Sequence, residues 1–193
     1  MSNHIILETS RLYLRKIQKN DDILISEILQ DIDVMYAWEH AFSNDEVADW
    51  INENRMRYEK DGYGYWAVIH KMSERLIGVC GLLKEQADYE NYVGLGYIFN
   101  KDYWGRGYAL ESASACVDYA FHTLKVKELT AQIRPNNLPS RKVAEKLGME
   151  VKKEFIKRYR GKEMLHLIYF LEREILFNRK RKRNFSRLEW TFE

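Results

Sequence analysis

Residues 104–110 read Trp-Gly-Arg-Gly-Tyr-Ala-Leu, with Gly105, Gly107 and Ala109 at alternate positions and a long apolar-periodic segment directly after them. The chain has only 10 glycines, and two of them stand here. Glycine is entropically costly, so a close pair points to backbone that must approach something. At a helix start the N–H groups are unpaired and carry partial positive charge, which selects an anion. A GxxxxGK[ST] phosphate loop is excluded because no lysine follows at that spacing. A dinucleotide GxGxxG matches at Gly105 and Gly107 but has Leu110 in third place, and three antiparallel-looking strands precede it instead of βαβ units. The remaining form is an arch of amides, Gly105 to Leu110, around a pyrophosphate at the helix start.

A second cluster follows about 30 residues later, in Asn137-Leu-Pro-Ser140. Asn137 lies in a loop beyond a strand end, and Ser140 is a good N-cap for the helix after it. Cys80 and Cys116 have no CxxC partner and sit in apolar segments, so they read as buried free thiols, with neither a disulfide nor a metal site expected.

These residues need elements to hold them. Thr9–Ile17 alternates apolar and polar side chains and predicts a first strand. Asp21 and Asp22 open a helix, and a second starts at the capping box Ser43-Asn-Asp-Glu46 and runs to Gly62. Three strand-like runs, YGYWAVIHK, RLIGVCGLLKE and NYVGLGYIFN, are separated by short turns and predict sequential antiparallel neighbours. Beyond the glycines, Leu110, Ala113, Val117, Ala120 and Leu124 recur at three- and four-residue steps along one helical face. ELTAQIR is a strand halted by Pro135, and SRKVAEKLG a short helix ended by Gly148. VKKEFIKRYRGKEMLHLIYFLE reads as two strands about a turn at Arg160-Gly161. The order β, α, α, β, β, β, α, β, α, β, β predicts one α/β (α+β) domain over residues 1–177, with a mixed, mostly antiparallel twisted sheet flanked by helices. Residues 178–193 read as a basic tail ending in a short strand, Leu188, Trp190 and Phe192.

At 193 residues, with 46% hydrophobic and 31% charged residues, the chain has the composition of a soluble globular domain. No apolar run approaches a membrane span, the N-terminus lacks signal-peptide order, and a cytoplasmic protein without membrane partners is expected. The net charge of +2 includes five positive charges at residues 179–183, so the rest carries −3. Nucleic acid is therefore an unlikely partner except through the tail.

GYIFNKDYWGRGYALESASACVDYAF, NNLPSRKVAEKLGM and the element order together resemble the GCN5-related N-acetyltransferases (GNAT), in the branch of ribosomal-protein N-terminal alanine acetyltransferases. The resemblance covers roughly residues 7 to 172. The family's pyrophosphate motif, (Gln/Arg)-x-x-Gly-x-(Gly/Ala), falls on residues 104–109, where Trp104 departs from the first position. The resemblance implies acetyl-CoA as cosubstrate, no metal, and an amine as acceptor. It implies that Gly105, Arg106, Gly107, Tyr108, Ala109 and Leu110 hold the pyrophosphate, and that Tyr97, Ile98 and Phe99 run beside the pantetheine arm where the strands splay. Gly94 and Gly96 could mark a bulge that causes the splay. It further implies that Asn137 bonds the arm and that Ser140 is the acid for the leaving thiolate.

A direct attack of a neutral amine on the thioester follows, with an amide near Ile98 stabilising the oxyanion. Relatives often carry Glu where this chain has Gly94, which removes the obvious base. Glu111 matches a recurrent family acid, and Glu163 and His166 on the last hairpin could reach the acceptor mouth. Presenting a lysine amine neutral at pH 7 costs about 4.6 kcal/mol, against about 1–1.4 kcal/mol for an α-amine. That favours a protein N-terminal amine. The alternatives are a small amine (polyamine or aminoglycoside-like) or a non-catalytic acyl-CoA-binding module. Aromatics and acids of residues 21–62 (Tyr36, Trp38, Phe42, Trp50, Tyr58; Glu39, Asp45, Glu46) could line the acceptor pocket. Monomer and homodimer are both open.

Overall fold

The computed structural model describes residues 4–87 and 89–174. The run at 179–183, the alternating 188–192 and the boundary at 177 lie outside the described residues. Among those described, no helix is long and apolar enough to cross a membrane.

Eight strands form one sheet in the order β1-β2-β3-β4-β5-β6-β8-β7: β1 (Ile5–Glu8), β2 (Leu12–Lys16), β3 (Tyr65–His70), β4 (Arg75–Ala87), β5 (Glu90–Phe99), β6 (Glu128–Ile133), β7 (Glu150–Tyr159) and β8 (Lys162–Glu172). Every neighbouring pair is antiparallel except β5 and β6. The helices are α1 (Asp22–Leu29), α2 (Asn44–Lys60), α3 (Tyr108–His122) and α4 (Leu138–Lys146). The expected order is present, with β1 added at its front; Ile5–Glu8 is too short to show a period, and it forms by pairing with β2. Ser43 does cap α2, its side chain accepting from Glu46 N–H in a reciprocal capping box.

Alternation along the strands sends side chains to two cores. Leu12, Leu14, Trp66, Val68, Ile77, Cys80 and Leu82 pack against Ala113, Cys116, Val117, Ala120 and Phe121 of α3 and Ala144 of α4. On the opposite face Tyr13, Ala67, Ile69, Val79 and Ile98 meet Ile25, Ile28 and Leu29 of α1 and Val47 and Ile51 of α2. The α1/α2 layer lies over β2–β4. The Sγ atoms of Cys80 and Cys116 are 3.6 Å apart in the first core, buried and free, and burial pushes the Cys116 thiol up.

The parallel pair is the break in the sheet. β5 and β6 are bridged at one position only, Gly94↔Thr130. From there β5 stays with β4 through Phe99, while β6 stays with β8 through Ile133. The strands therefore part, and among the described residues the backbone groups on the β6 side of β5 beyond Gly94 have no strand partner.

Candidate active site

Two cavities open at this gap, one from each sheet face, of about 450 and 490 Å³. Trp38, Tyr97, Ile98, Asn137 and Ser140 line both, so the two spaces meet where β5 and β6 part.

The smaller cavity lies on the α3/α4 side. Gly105 (φ 74°) and Gly107 (φ 81°) are both left-handed, the reason glycine is needed at each. Gly107 is the N-cap of α3 and offers no side chain, so the first-turn N–H groups of Tyr108, Ala109 and Leu110 are left for a ligand. Gly105, Gly107, Tyr108, Ala109 and Leu110 all line this cavity, as do Tyr97, Ile98, Phe99 and Asn137. Arg106 does not: its carbonyl accepts from Arg11 Nη1 at 3.1 Å and its guanidinium lies over the Tyr103 ring. Trp104, the departure from the family motif, donates its indole N–H to Phe99 O at 2.9 Å and ties the loop to the end of β5. Lys142 and Lys146, one turn apart on α4, also face the cavity. Their four-residue spacing was the only signal of them in the sequence.

Asn137, not Ser140, caps α4. Its Oδ1 accepts from Ser140 N–H at 3.2 Å and from Tyr36 Oη at 2.7 Å, which makes Ser140 the third residue of the helix. The capping expectation for Ser140 is thus corrected: the cap lies three residues earlier, and Pro139 is accommodated in the first turn. Ser140 still reaches both cavities, and its carbonyl accepts from Tyr97 Oη at 2.7 Å.

Glu111 is placed in neither cavity. Its carboxylate accepts from Thr9 Oγ1 (2.6 Å), Ser10 Oγ (3.1 Å), and Arg11 N (2.9 Å) and Nε (2.7 Å). Burial opposes its charge, but these donors outweigh burial and hold its pKa low. It latches the first turn of α3 to the β1–β2 turn. Glu163 is also outside both cavities, exposed on the hairpin and paired with Arg158 at 3.1 Å. His166 does line the larger cavity; burial lowers its pKa, and Nδ1 bonds Met164 O at 2.9 Å.

The larger cavity is a trough over β5, β6, β8 and β7 beside the α1/α2 layer, with Trp38, Phe42 and Trp50 on its wall. Tyr58 is instead in the core, its hydroxyl bonded to Tyr65 O. None of the acids expected to attract a cation, Glu39, Asp45 and Glu46, lines the trough: Glu39 pairs with Arg134 and Lys162, and Glu46 with His40 and Arg160. The trough is lined by Arg57, Lys84, Arg134 and Lys157 against Glu53 and Glu85. Three buried polar atoms on it have no hydrogen-bond partner among the described residues: Glu85 Oε2, Gln132 Nε2 and Arg134 Nε.

Glu85, which nothing in the sequence singles out, supplies one of these atoms. It comes from β4, opposite Tyr92, two pairs beyond Leu83↔Gly94 and so on the same sheet face. Burial pushes its carboxyl up to about 7, against the pull of Lys157 and Arg57. Gly94 and Gly96 mark no bulge, since the β4–β5 register is unbroken. A Cβ at Gly94 would overlap the Glu85 carboxylate, and one at Gly96 the Tyr65 hydroxyl.

An arch of amides at a helix start, opening into a split parallel pair with a second cavity behind it, is matched by a known family. Residues 11–150 match the acetyltransferase (GNAT) domain. The chain belongs to the GNAT acetyltransferase family. The GNAT chain is 32% identical over 148 residues to YkkB, an uncharacterized protein of Bacillus subtilis (strain 168), covering 76% of this chain and 86% of that one. Among solved structures, a GNAT-family acetyltransferase from Bacillus anthracis superposes with a TM-score of 0.74 at 27% identity, covering 87% of this chain and 98% of that one. Two further solved structures share the fold: a ribosomal L7/L12 α-N-protein acetyltransferase with coenzyme A (TM-score 0.73, 15% identity, 88% and 98% covered) and a spermidine N-acetyltransferase from Vibrio cholerae with coenzyme A and spermine (TM-score 0.70, 17% identity, 88% and 99% covered). The chain is therefore an N-acetyltransferase of the GNAT type.

Proposed function

We propose that this acetyltransferase moves the acetyl group of acetyl-CoA directly to the α-amine of a polypeptide N-terminus, with the coenzyme in the α3/α4-side cavity and the acceptor in the trough. The pyrophosphate sits on the free N–H groups of Tyr108 to Leu110, whose partial charge favours an anion, and Lys142 and Lys146 add positive charge. The pantetheine arm lies along the unpartnered side of Tyr97, Ile98 and Phe99. With Oδ1 of Asn137 committed to the cap, its amide nitrogen is the end left for the arm. The thioester then reaches the gap, where an N–H near Ile98 stabilises the oxyanion and Ser140 returns a proton to the departing sulfur. Neither cysteine takes part: both are sealed in the core.

The trough's unpaired atoms carry the choice of acceptor. Glu85 Oε2 accepts a hydrogen bond, whereas Gln132 Nε2 and Arg134 Nε donate one. An α-amine with its first peptide carbonyl satisfies both kinds. A polyamine offers donors only and would leave two buried donors unpaired, at about 1–3 kcal/mol each. The basic excess of the lining also opposes a polycation. The test is turnover on short peptides with free N-termini against spermidine and an aminoglycoside. Peptides should be preferred by 10-fold or more in kcat/KM, and N-terminally blocked peptides should be inert. A preference for spermidine would overturn this acceptor, and failure to bind acetyl-CoA would overturn the whole reading.

A further inference from the structure

We propose that Glu85, reaching from β4 across the face of Gly94, is the proton acceptor of the transfer, so that one carboxylate is supplied by a pair of positions on two strands. This rests on the acetyltransferase reading above. The space directly over Gly94 is filled: a Cβ there would lie 2.5 Å from Glu85 Cδ and 2.9 Å from Cγ, besides overlapping Oε2. Glycine at 94 therefore leaves the room in which the Glu85 side chain lies. The carboxylate lands on β5 three residues before Tyr97, on the sheet face that forms the floor of the trough.

A structural carboxylate buried this deeply would be expected to hold a partner. Oε2 has none among the described residues, although ionic groups surround it. Arg57 and Glu53 face the trough from α2, Tyr65 from β3, Arg134 from just past β6, Lys157 from β7 and His166 from β8. Arg57 is engaged by Glu53 at 2.5 Å, and Arg134 by Glu39 at 2.7 Å. A carboxyl whose pKa is pushed to about 7 is divided between its two forms at neutral pH, where a general base works best. In the step, the amine lone pair forms the C–N bond at the thioester carbon. The C–S bond breaks and its electron pair leaves on sulfur. The proton shed by nitrogen passes to Glu85, and the thiolate is protonated from the opposite side of the gap.

The test uses the full chain. Glu85→Gln should lower kcat by about 100-fold or more while acetyl-CoA binding, followed by calorimetry, stays within threefold. The pH profile is taken with two acceptors of different amine pKa, so that the limb that does not move belongs to the enzyme. That limb should lie near pH 7, vanish in Glu85→Gln and survive in His166→Asn. Moving the carboxylate back to β5 is the decisive variant. Glu85→Ala with Gly94→Glu relieves the overlap and should recover at least 10-fold of the activity lost in Glu85→Ala alone. A fixed limb that persists in Glu85→Gln, or that follows His166, overturns the proposal. So does a double variant that folds, binds acetyl-CoA and shows no recovery. If no acceptor turns over, the acceptor reading has failed. Glu85 is then judged separately by ¹³C NMR of its carboxyl, where a midpoint in the ordinary carboxylate range refutes the proposal and one near 7 supports it.

Discussion

The two cavities that meet at the β5–β6 gap are built from different materials. The one on the α3/α4 side is mainly backbone: two left-handed glycines, the first-turn amides of α3 and the open edge of β5. The trough is side chain, with Glu85 supplied by β4, Gln132 by β6, Arg134 by the residue after it, Lys157 by β7 and His166 by β8. On the reading proposed above, the backbone site would take what every reaction cycle shares, a phosphate and an extended arm, and it changes little when side chains change. A side-chain site can be altered one residue at a time, which suits it to the part of the reaction that differs between acceptors.

The backbone cavity is most vulnerable at Gly107. Gly107→Glu puts a side chain on a residue at φ 81° and a carboxylate at the helix start where the pyrophosphate is proposed to sit. Acetyl-CoA affinity should fall about 1,000-fold by calorimetry, with the fold checked by circular dichroism. Unchanged affinity in a folded variant would mean that the amides of residues 108–110 are not the phosphate site.

In the trough the expected effect has the opposite sign, a gain in stability when the Glu85 carboxylate is removed. Glu85 has its carboxyl raised from the ordinary 4.5 to about 7 by burial. Below the lower value both folded and unfolded chains are protonated, and Glu85 costs the fold no ionisation. As pH rises through this window the unfolded chain releases the proton first, so stability falls until about pH 7 and the deficit then persists. A shift of this size corresponds to about 3 kcal/mol. The stability of Glu85→Gln relative to the parent should therefore increase by about 2–3 kcal/mol between pH 5 and pH 8, read from urea unfolding at each pH. A difference that does not vary with pH would place Glu85 in water.

The same contrast explains what is legible in the sequence alone. The backbone site is contiguous, so Trp104 to Leu110 and Asn137 to Ser140 announce themselves by composition and spacing. The element order is legible for the same reason, as period and turn residues are local. Glu85 is invisible because KEQ at the end of a strand looks like any solvated strand end. Only the pairing of β4 with β5 brings it over Gly94. The glycine stands out, but its reason lies nine residues away on another strand. Ser140 reads as a cap in the sequence, yet α4 takes Pro139 into its first turn, and Asn137, three residues earlier, has the role.

Asn137 and Ser140 stand at the gap itself, where backbone and side chain both line the space. Asn137→Ala removes the cap of α4 and the bond from Tyr36, so stability should drop by about 1–2 kcal/mol. Acetyl-CoA affinity should weaken about 10-fold with it. Ser140→Ala leaves the cap intact and should hold stability within about 0.5 kcal/mol, while turnover slows about 10-fold. If Ser140→Ala unfolds the helix, the cap assignment is wrong; if it leaves turnover untouched, the sulfur receives its proton elsewhere.

The smallest effect is expected at Glu111, which looks catalytic in sequence and is a latch in structure. Glu111→Gln keeps the shape but weakens the bonds from Thr9, Ser10 and Arg11, and Arg11 also holds Arg106 O. The Arg11 side chain is 45% exposed, so solvent screens much of the ion pair and the stability loss should stay below about 1 kcal/mol. The consequence should appear as coenzyme affinity, two- to threefold weaker because the glycine arch is less firmly held, with the pH profile of turnover unmoved. A carboxylate that accepted the substrate proton could not be replaced so cheaply. If turnover instead dropped about 100-fold while acetyl-CoA affinity held, Glu111 would return to the chemistry and the need for Glu85 would vanish.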